Sequence, residues 1–176
     1  MAEKILIVVD MQKDFVNGSL GSKDAEAIVP AVVKKAKEFD GDLIFTKDTH
    51  FENYMDTQEG RHLPVPHCIR GSEGWEIIPQ LQPDTVGRTV IDKPTFGSRA
   101  LGEELARLNE REPVGKITLI GVCTDICVLS NALLAKAFLP EAEVVVEAAC
   151  CAGVTPEAHR TALEAMKPCQ ITVKED

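Results

Sequence analysis

Ile117-Thr-Leu-Ile-Gly-Val-Cys-Thr-Asp-Ile-Cys-Val128 is the stretch around which the rest of the chain can be arranged. Ile117 to Val122 is a short, β-branched, apolar run that stops at a Cys-Thr-Asp step. A helical apolar pattern then continues from Ile126 towards Leu139. A buried strand feeding directly into a buried helix is the reading these periods support. Cys127 falls in the first turn of that helix, where unpaired N–H groups and the positive dipole end favour an anion. A thiol held there is expected to ionise more readily, and the thiolate is the reactive form. The competing reading is that Cys127 is a small buried hydrophobe, as most free cysteines are.

Working outward, Lys4–Val9 reads as a central parallel strand ending at Asp10. Apolar residues at helical spacing predict a helix over 25–39, with Pro30 either in its first turn or kinking it. Leu43–Thr46 is a second strand. From Lys47 to Gly71 no period is visible, and an irregular stretch of this length inside a compact domain is usually functional. Glu73–Leu81 is expected to form a short helix, and Thr89–Ile91 a third strand leading to Asp92-Lys93-Pro94. Ser98 is placed to cap a helix carrying Leu101, Leu105 and Leu108. Lys116–Val122 is the fourth strand, Glu143–Val146 the fifth and Gln170–Val173 the last. Thr155-Pro156 forms a cap and first-turn pair for a helix through Met166. Strands alternating with helices predict an α/β fold with three α/β/α layers: a mostly parallel six-stranded sheet, helices on both faces, Rossmann-like in kind.

The chain of 176 residues, 44% hydrophobic and 27% charged, is read as a single domain over residues 1–176. A net charge of −9 without a basic stripe argues against nucleic acid or an anionic membrane as partner. Ile5–Val9 is too short for the apolar segment of a signal peptide, and no run approaches a membrane span, so a cytoplasmic protein is expected. Cys68, Cys123, Cys127, Cys150, Cys151 and Cys169 are then reduced thiols, with no paired CxxC to suggest structural zinc. There is no G-x-G-x-x-G after the first strand and no phosphate-binding loop, so a nucleotide-binding reading has no support.

In an open α/β sheet, ligands bind beyond the carboxyl ends of the strands. Here those ends deliver Asp10, Asp48-x-His50, Lys93 and Cys127: an acid, a metal-type pair, a cation and a thiol. The set resembles the isochorismatase-like cysteine hydrolase superfamily, and within it the nicotinamidases (pyrazinamidases). The resemblance spans nearly the whole chain. It is carried by Val8-Val9-Asp10-Met-Gln-Lys-Asp-Phe15, Thr46-Lys-Asp48-Thr-His50, Pro66-His67-Cys68, Asp92-Lys93 and Gly121-Val122-Cys123-Thr-Asp-Ile-Cys127-Val128. It implies a catalytic triad of Asp10, Lys93 and Cys127, and a cis peptide between Val122 and Cys123. Backbone N–H groups of Cys123 and Cys127 would then form an oxyanion hole. It also implies one divalent metal ion, Zn²⁺ or else Fe²⁺ or Mn²⁺, held by Asp48, His50 and His67, with Glu59 added in one subgroup. His62 is the less favoured ligand and is read as surface. Phe15, together with Trp75 or Phe96, is expected to line a pocket for a flat ring. Family members are often dimers or tetramers, which makes a homo-oligomer an expectation.

The implied reaction is hydrolysis of nicotinamide to nicotinate and ammonia through a thioester, a step of NAD salvage. After Lys93 the chain reads Pro-Thr-Phe-Gly-Ser, closer to general hydrolases of the superfamily, and the segment before His67 reads Pro-Val-Pro where many nicotinamidases carry Trp-Pro-x. A cysteine hydrolase acting on another small amide, a carbamoyl or ureido compound, is therefore the alternative. Isochorismatases proper cleave a vinyl ether and typically lack the cysteine, so Cys127 argues against that activity. A third alternative, from a different class, is a thiol redox or metal-binding protein without turnover, drawing on Cys123, Cys127 and the Cys150-Cys151 pair.

Overall fold

The computed structural model describes residues 3–175. Met1, Ala2 and Asp176, which the expected domain over residues 1–176 includes, lie outside the described residues. In chain order the regular elements are β1 (Glu3–Val9), α1 (Lys13–Val16), α2 (Lys23–Glu38), β2 (Asp42–Asp48), α3 (Gln58–His62), β3 (Thr89–Lys93) and α4 (Arg99–Arg111). They continue with β4 (Val114–Val122), α5 (Leu129–Phe138), β5 (Glu143–Ala152), α6 (Pro156–Met166) and β6 (Thr172–Lys174). Among the described residues the strands form one six-stranded sheet in the order β3-β2-β1-β4-β5-β6, every pair parallel.

Strand β1 shows why its sequence is apolar throughout. Ile5, Ile7 and Val9 point into one core, with Leu101 and Leu105 of α4, Ala132 of α5 and Leu163 of α6. Leu6 and Val8 point into the other, with Ala25 and Val32 of α2. A strand covered on both faces cannot alternate polar with apolar residues, so it reads as a continuous run. Each such side chain fully buried contributes about 1.5–3 kcal/mol. The strand order reverses direction between β1 and β4, and a crevice opens at that point beyond the strand ends.

Several elements differ from the sequence expectation, each for a local reason. Helix α2 does not start late but runs from Lys23 through Pro30. Ser22 Oγ accepts from Ala25 N at 3.0 Å and starts the helix at Lys23, leaving the exposed Pro30 in its interior without the bond its N–H would make. Glu73–Leu81 is not a helix. It runs as turns beside the chain after β1, with Lys13 N bonded to Glu76 O at 2.9 Å and Ile78 N to Met11 O at 2.9 Å. Its apolar spacing instead anchors Ile77, Ile78 and Leu81 in the α2-side core. Strand β5 extends beyond Val146 to Ala152, because the β4–β5 ladder is interrupted between Leu119 and Gly121 and resumes at Gly121–Cys151. Such a bulge re-aims the strand end. The irregular 47–71 stretch contains α3, capped by Thr57 Oγ1, which accepts from Gly60 N at 3.0 Å.

Candidate active site

Four strand ends meet at the crevice. Asp10 follows β1 and is fully buried, in the left-handed backbone region at φ 49°. A non-glycine residue there is uncommon and is held by its surroundings. Asp10 N donates to Thr46 O of β2 at 3.2 Å, and Thr46 Oγ1 donates back to Asp10 Oδ1 at 2.6 Å. Lys93, at the end of β3, is 0% exposed. Its Nζ lies 2.7 Å from Asp10 Oδ2, a contact of opposite charges without hydrogen-bond alignment at that oxygen. The same ammonium donates to Cys127 Sγ at 3.2 Å and Thr95 O at 3.2 Å, and sits 3.6 Å from Asp48 Oδ1. The predicted acid, cation and thiol are therefore brought together around one buried nitrogen.

After β4 the Val122–Cys123 peptide is cis, as the resemblance implied. Cys127 then lies in a wide turn over Thr124–Val128 that leads into α5. The Cys123 carbonyl, which Cys127 N–H would take in a regular α-turn, is bonded by Ile126 N and Val128 N, both at 3.1 Å. Among the described residues Cys123 N makes no hydrogen bond. Gly121, at φ 119°, passes so close to β1 that a Cβ would collide with the Val9 carbonyl.

The electrostatics correct one expectation. Burial pushes the Cys127 thiol well above its ordinary value, the Asp10 charge adds to this, and Lys93 only partly opposes it. Desolvation is the largest influence on the sulfur and favours its neutral form. Burial also raises Asp10, against the pull of Lys93. Burial works against the Lys93 ammonium, but Asp10, Cys127 and Asp48 more than compensate and hold it charged above the usual lysine range. Burial raises Asp48 as well, yet hydrogen bonds from His50 and His67 and the Lys93 charge hold it well below the carboxylate range.

Beside the triad, Asp48, His50, Glu59 and His67 converge so that one ligand atom of each lies within 4.8 Å of all the others. His50 Nε2 is 2.9 Å and His67 Nε2 3.3 Å from Asp48 Oδ2, while Glu59 Oε1 is 3.5 Å from His50 Nε2 and 3.7 Å from His67 Nε2. Ligands of a tetrahedral zinc ion, bound at about 2.0–2.1 Å, stand roughly 3.3 Å apart. Two further observations fit a divalent cation. Asp48 Oδ1 is buried without a hydrogen-bond donor. The carboxyl groups of Asp10, Asp48 and Glu59 also gather about the single ammonium of Lys93, more acidic groups than one buried cation can pair with in low-dielectric surroundings. His67 Nδ1 bonds Val65 O at 2.8 Å, which leaves Nε2 as the ligating nitrogen. His62 is exposed and outside this group.

A cavity of about 930 Å³ opens onto Cys127, Cys123, Asp48, Glu59 and His67. Phe15 and Phe96 line it. Trp75 does not, contrary to its expected part in substrate binding. Its ring lies under Lys47 Nζ at 3.0 Å and its Nε1 donates to Thr49 Oγ1 at 2.9 Å, so it braces the loop behind the site.

Sequence reasoning passed over the supports. Gln12, fully buried, accepts from Asp48 N at 2.7 Å and donates to Asp48 O at 2.8 Å. Asp14 Oδ2 accepts from Cys68 N at 2.8 Å, fixing the backbone next to His67. Tyr54 stands edge-on to both His50 and His67, at 4.8 and 5.1 Å between ring centroids. A polar run directly after a buried strand, and the chain's single tyrosine beside its histidines, were the available signals.

The sequence profile of the isochorismatase domain matches residues 4–175. Over 173 residues, 92% of each chain, the protein is 32% identical to PncA of Bacillus subtilis, an isochorismatase family protein. A crystal structure of nicotinamidase/pyrazinamidase PncA from Bacillus subtilis aligns over 98% of this chain and 100% of that one, with a TM-score of 0.84 and 29% identity. A crystal structure of pyrazinamidase of Pyrococcus horikoshii in complex with zinc aligns over 99% of both chains, with a TM-score of 0.80 and 31% identity. The fold thus recurs in proteins named nicotinamidase and pyrazinamidase, and the match over residues 4–175 shows that the chain belongs to the isochorismatase family.

Proposed function

We propose that the protein is a cysteine amidohydrolase that converts nicotinamide and water to nicotinate and ammonia through a thioester on Cys127. The observation that carries this reading is the buried Lys93 ammonium, shared between Asp10 and Cys127 and flanked by the Asp48–His50–Glu59–His67 group. In the first half-reaction the Cys127 thiol gives its proton to the Asp10 carboxylate, and Sγ bonds to the amide carbon. The developing oxyanion is met by the backbone N–H groups of Cys123 and Cys127. The C–N bond breaks as Asp10 returns the proton to the departing nitrogen, releasing ammonia. In the second, Asp10 takes a proton from water, the oxygen bonds to the acyl carbon, and the C–S bond breaks. That proton returns to sulfur and restores the thiol. Lys93 stays charged throughout and lowers the cost of negative charge on sulfur.

Asp48, His50, Glu59 and His67 would hold a divalent ion, Zn²⁺ being the best match to the donor set and Fe²⁺ or Mn²⁺ the others. Bound there, it supplies a positive anchor for a ring nitrogen or the waters beside it. Phe15 and Phe96 would flank the ring by offset or edge contact. The redox alternative needs an accessible thiolate. A redox pair would also need a second reactive sulfur beside Cys127, and burial pushes Cys123 up to about 12 and raises Cys150 and Cys151. The test is ammonia release from nicotinamide by wild type and Cys127→Ala, before and after chelation. Turnover lost in the variant and in the stripped protein supports the reading. Intact, metal-loaded protein that releases no ammonia removes nicotinamide as substrate and moves the search to carbamoyl and ureido compounds.

A further inference from the structure

Asn131 lies on α5 one helical turn beyond Cys127 and is 0% exposed. Asparagine is a poor helix former, and a buried amide at a helix–helix contact costs stability unless its hydrogen bonds are made. Here they are made to the site. Nδ2 donates to Cys127 O at 2.8 Å and to Phe96 O at 3.0 Å, and Oδ1 accepts from Ser98 N at 2.8 Å. Two carbonyls and one N–H admit a single orientation of the amide. One side chain therefore ties the carbonyl of the nucleophile residue to both ends of the Phe96–Ser98 segment. That segment follows Thr95, whose carbonyl takes a bond from Lys93.

Phe96 needs such a tie. Its ring faces the cavity but the residue is 45% exposed, so packing alone holds it weakly. Its position must then come from the backbone. We propose that Asn131 is the positioning residue for ring recognition. It fixes the Phe96 wall relative to Cys127, so that a flat ring bound against Phe96 presents its amide carbon to the sulfur. This inference rests on the aromatic-amide reading above and extends it to a residue that does not touch substrate.

The test is a double-mutant cycle on nicotinamide hydrolysis with Asn131→Leu, Asn131→Ser, Phe96→Ala and the paired variants. Asn131→Ser keeps a hydroxyl able to bond Cys127 O but cannot reach Phe96 O and Ser98 N, so it separates positioning from loss of the fold. Both Asn131 variants are expected to raise KM about fivefold or more, with a smaller change in kcat. In the Phe96→Ala background the same substitutions are expected to change KM by less than about twofold. Equal effects in both backgrounds, or an unchanged KM, would overturn the proposal.

Should wild type not hydrolyse nicotinamide, the substrate reading fails by itself. The positioning role is then read, in a Cys169→Ser background, from Cys127 alkylation by ring-bearing 4-vinylpyridine relative to iodoacetamide. The ratio should fall in Asn131→Ser only when Phe96 is present. A ratio that Asn131→Ser leaves unmoved would count against it.

Discussion

The Thr46 hydroxyl, donated to Asp10 Oδ1, bears directly on the pH range of the reaction. Burial raises Asp10, and Thr46 and Lys93 pull it back towards the ionised form. The first proton transfer needs the carboxylate, so kcat/KM should fall as pH drops through the raised value, and that acid limb should lie above the ordinary carboxylate range. Thr46→Val removes a bond to the charged form, so the limb should move to higher pH; an unmoved or lowered limb would show that Asp10 is not the titrating base. The same logic applies to Gln12, which holds both backbone polar groups of Asp48. Gln12→Leu should weaken metal binding about 10–100-fold, as loss of groups orienting a ligand does, measured by competition with a chelating dye. Asp10, Lys93 and Cys127 were legible in the sequence because each ends or follows a recognisable strand. The sign of the Cys127 shift was not legible, since it depends on burial that spacing does not reveal.

At the scale of the element, the end of β4 does the positioning. Gly121 at φ 119° lets β4 approach the Val9 carbonyl just before the cis peptide and the Cys127 turn. Gly121→Ala should cost about 3 kcal/mol through backbone strain and overpacking, read as a lowered urea midpoint with an unchanged slope. A variant as stable as wild type would mean that β1 and β4 can separate there without loss. Strands with apolar β-branched runs were found from sequence, and so was the Ser98 cap of α4. Those set by tertiary partners were not. The Glu147–Ala152 end of β5 lacks a period because a bulge interrupts its pairing with β4. Glu73–Leu81 has helix-like apolar spacing, but its backbone bonds go to the chain after β1. Trp75 could be placed near the site by order along the chain, while its direction is set by Lys47 and Thr49.

For the whole molecule, the all-parallel sheet gathers an acid, a cation, a thiol and the Asp48–His50–Glu59–His67 group at one switch point. The fold class was readable from alternating apolar periods, whereas the strand order that makes the crevice depends on crossovers that sequence does not display. The Asp48–His50–Glu59–His67 group also bears on stability. A divalent ion at about 100 times its dissociation constant should add about 2.7 kcal/mol, or roughly 5–10 °C in Tm for a chain of this size. Calorimetry with Zn²⁺ should show that rise in wild type and lose it in His67→Ala; an equal rise in both would put the ion elsewhere. Acylation of Cys127 is the central step of the proposed reaction. Wild type and Cys127→Ala should be mixed with nicotinamide, quenched in acid within milliseconds, digested and weighed by mass spectrometry. A nicotinoyl group on the Cys127 peptide of wild type, appearing and decaying at rates that match ammonia release, is the predicted result. Ammonia released at the normal rate with no adduct at any time, or released equally by Cys127→Ala, would contradict the account.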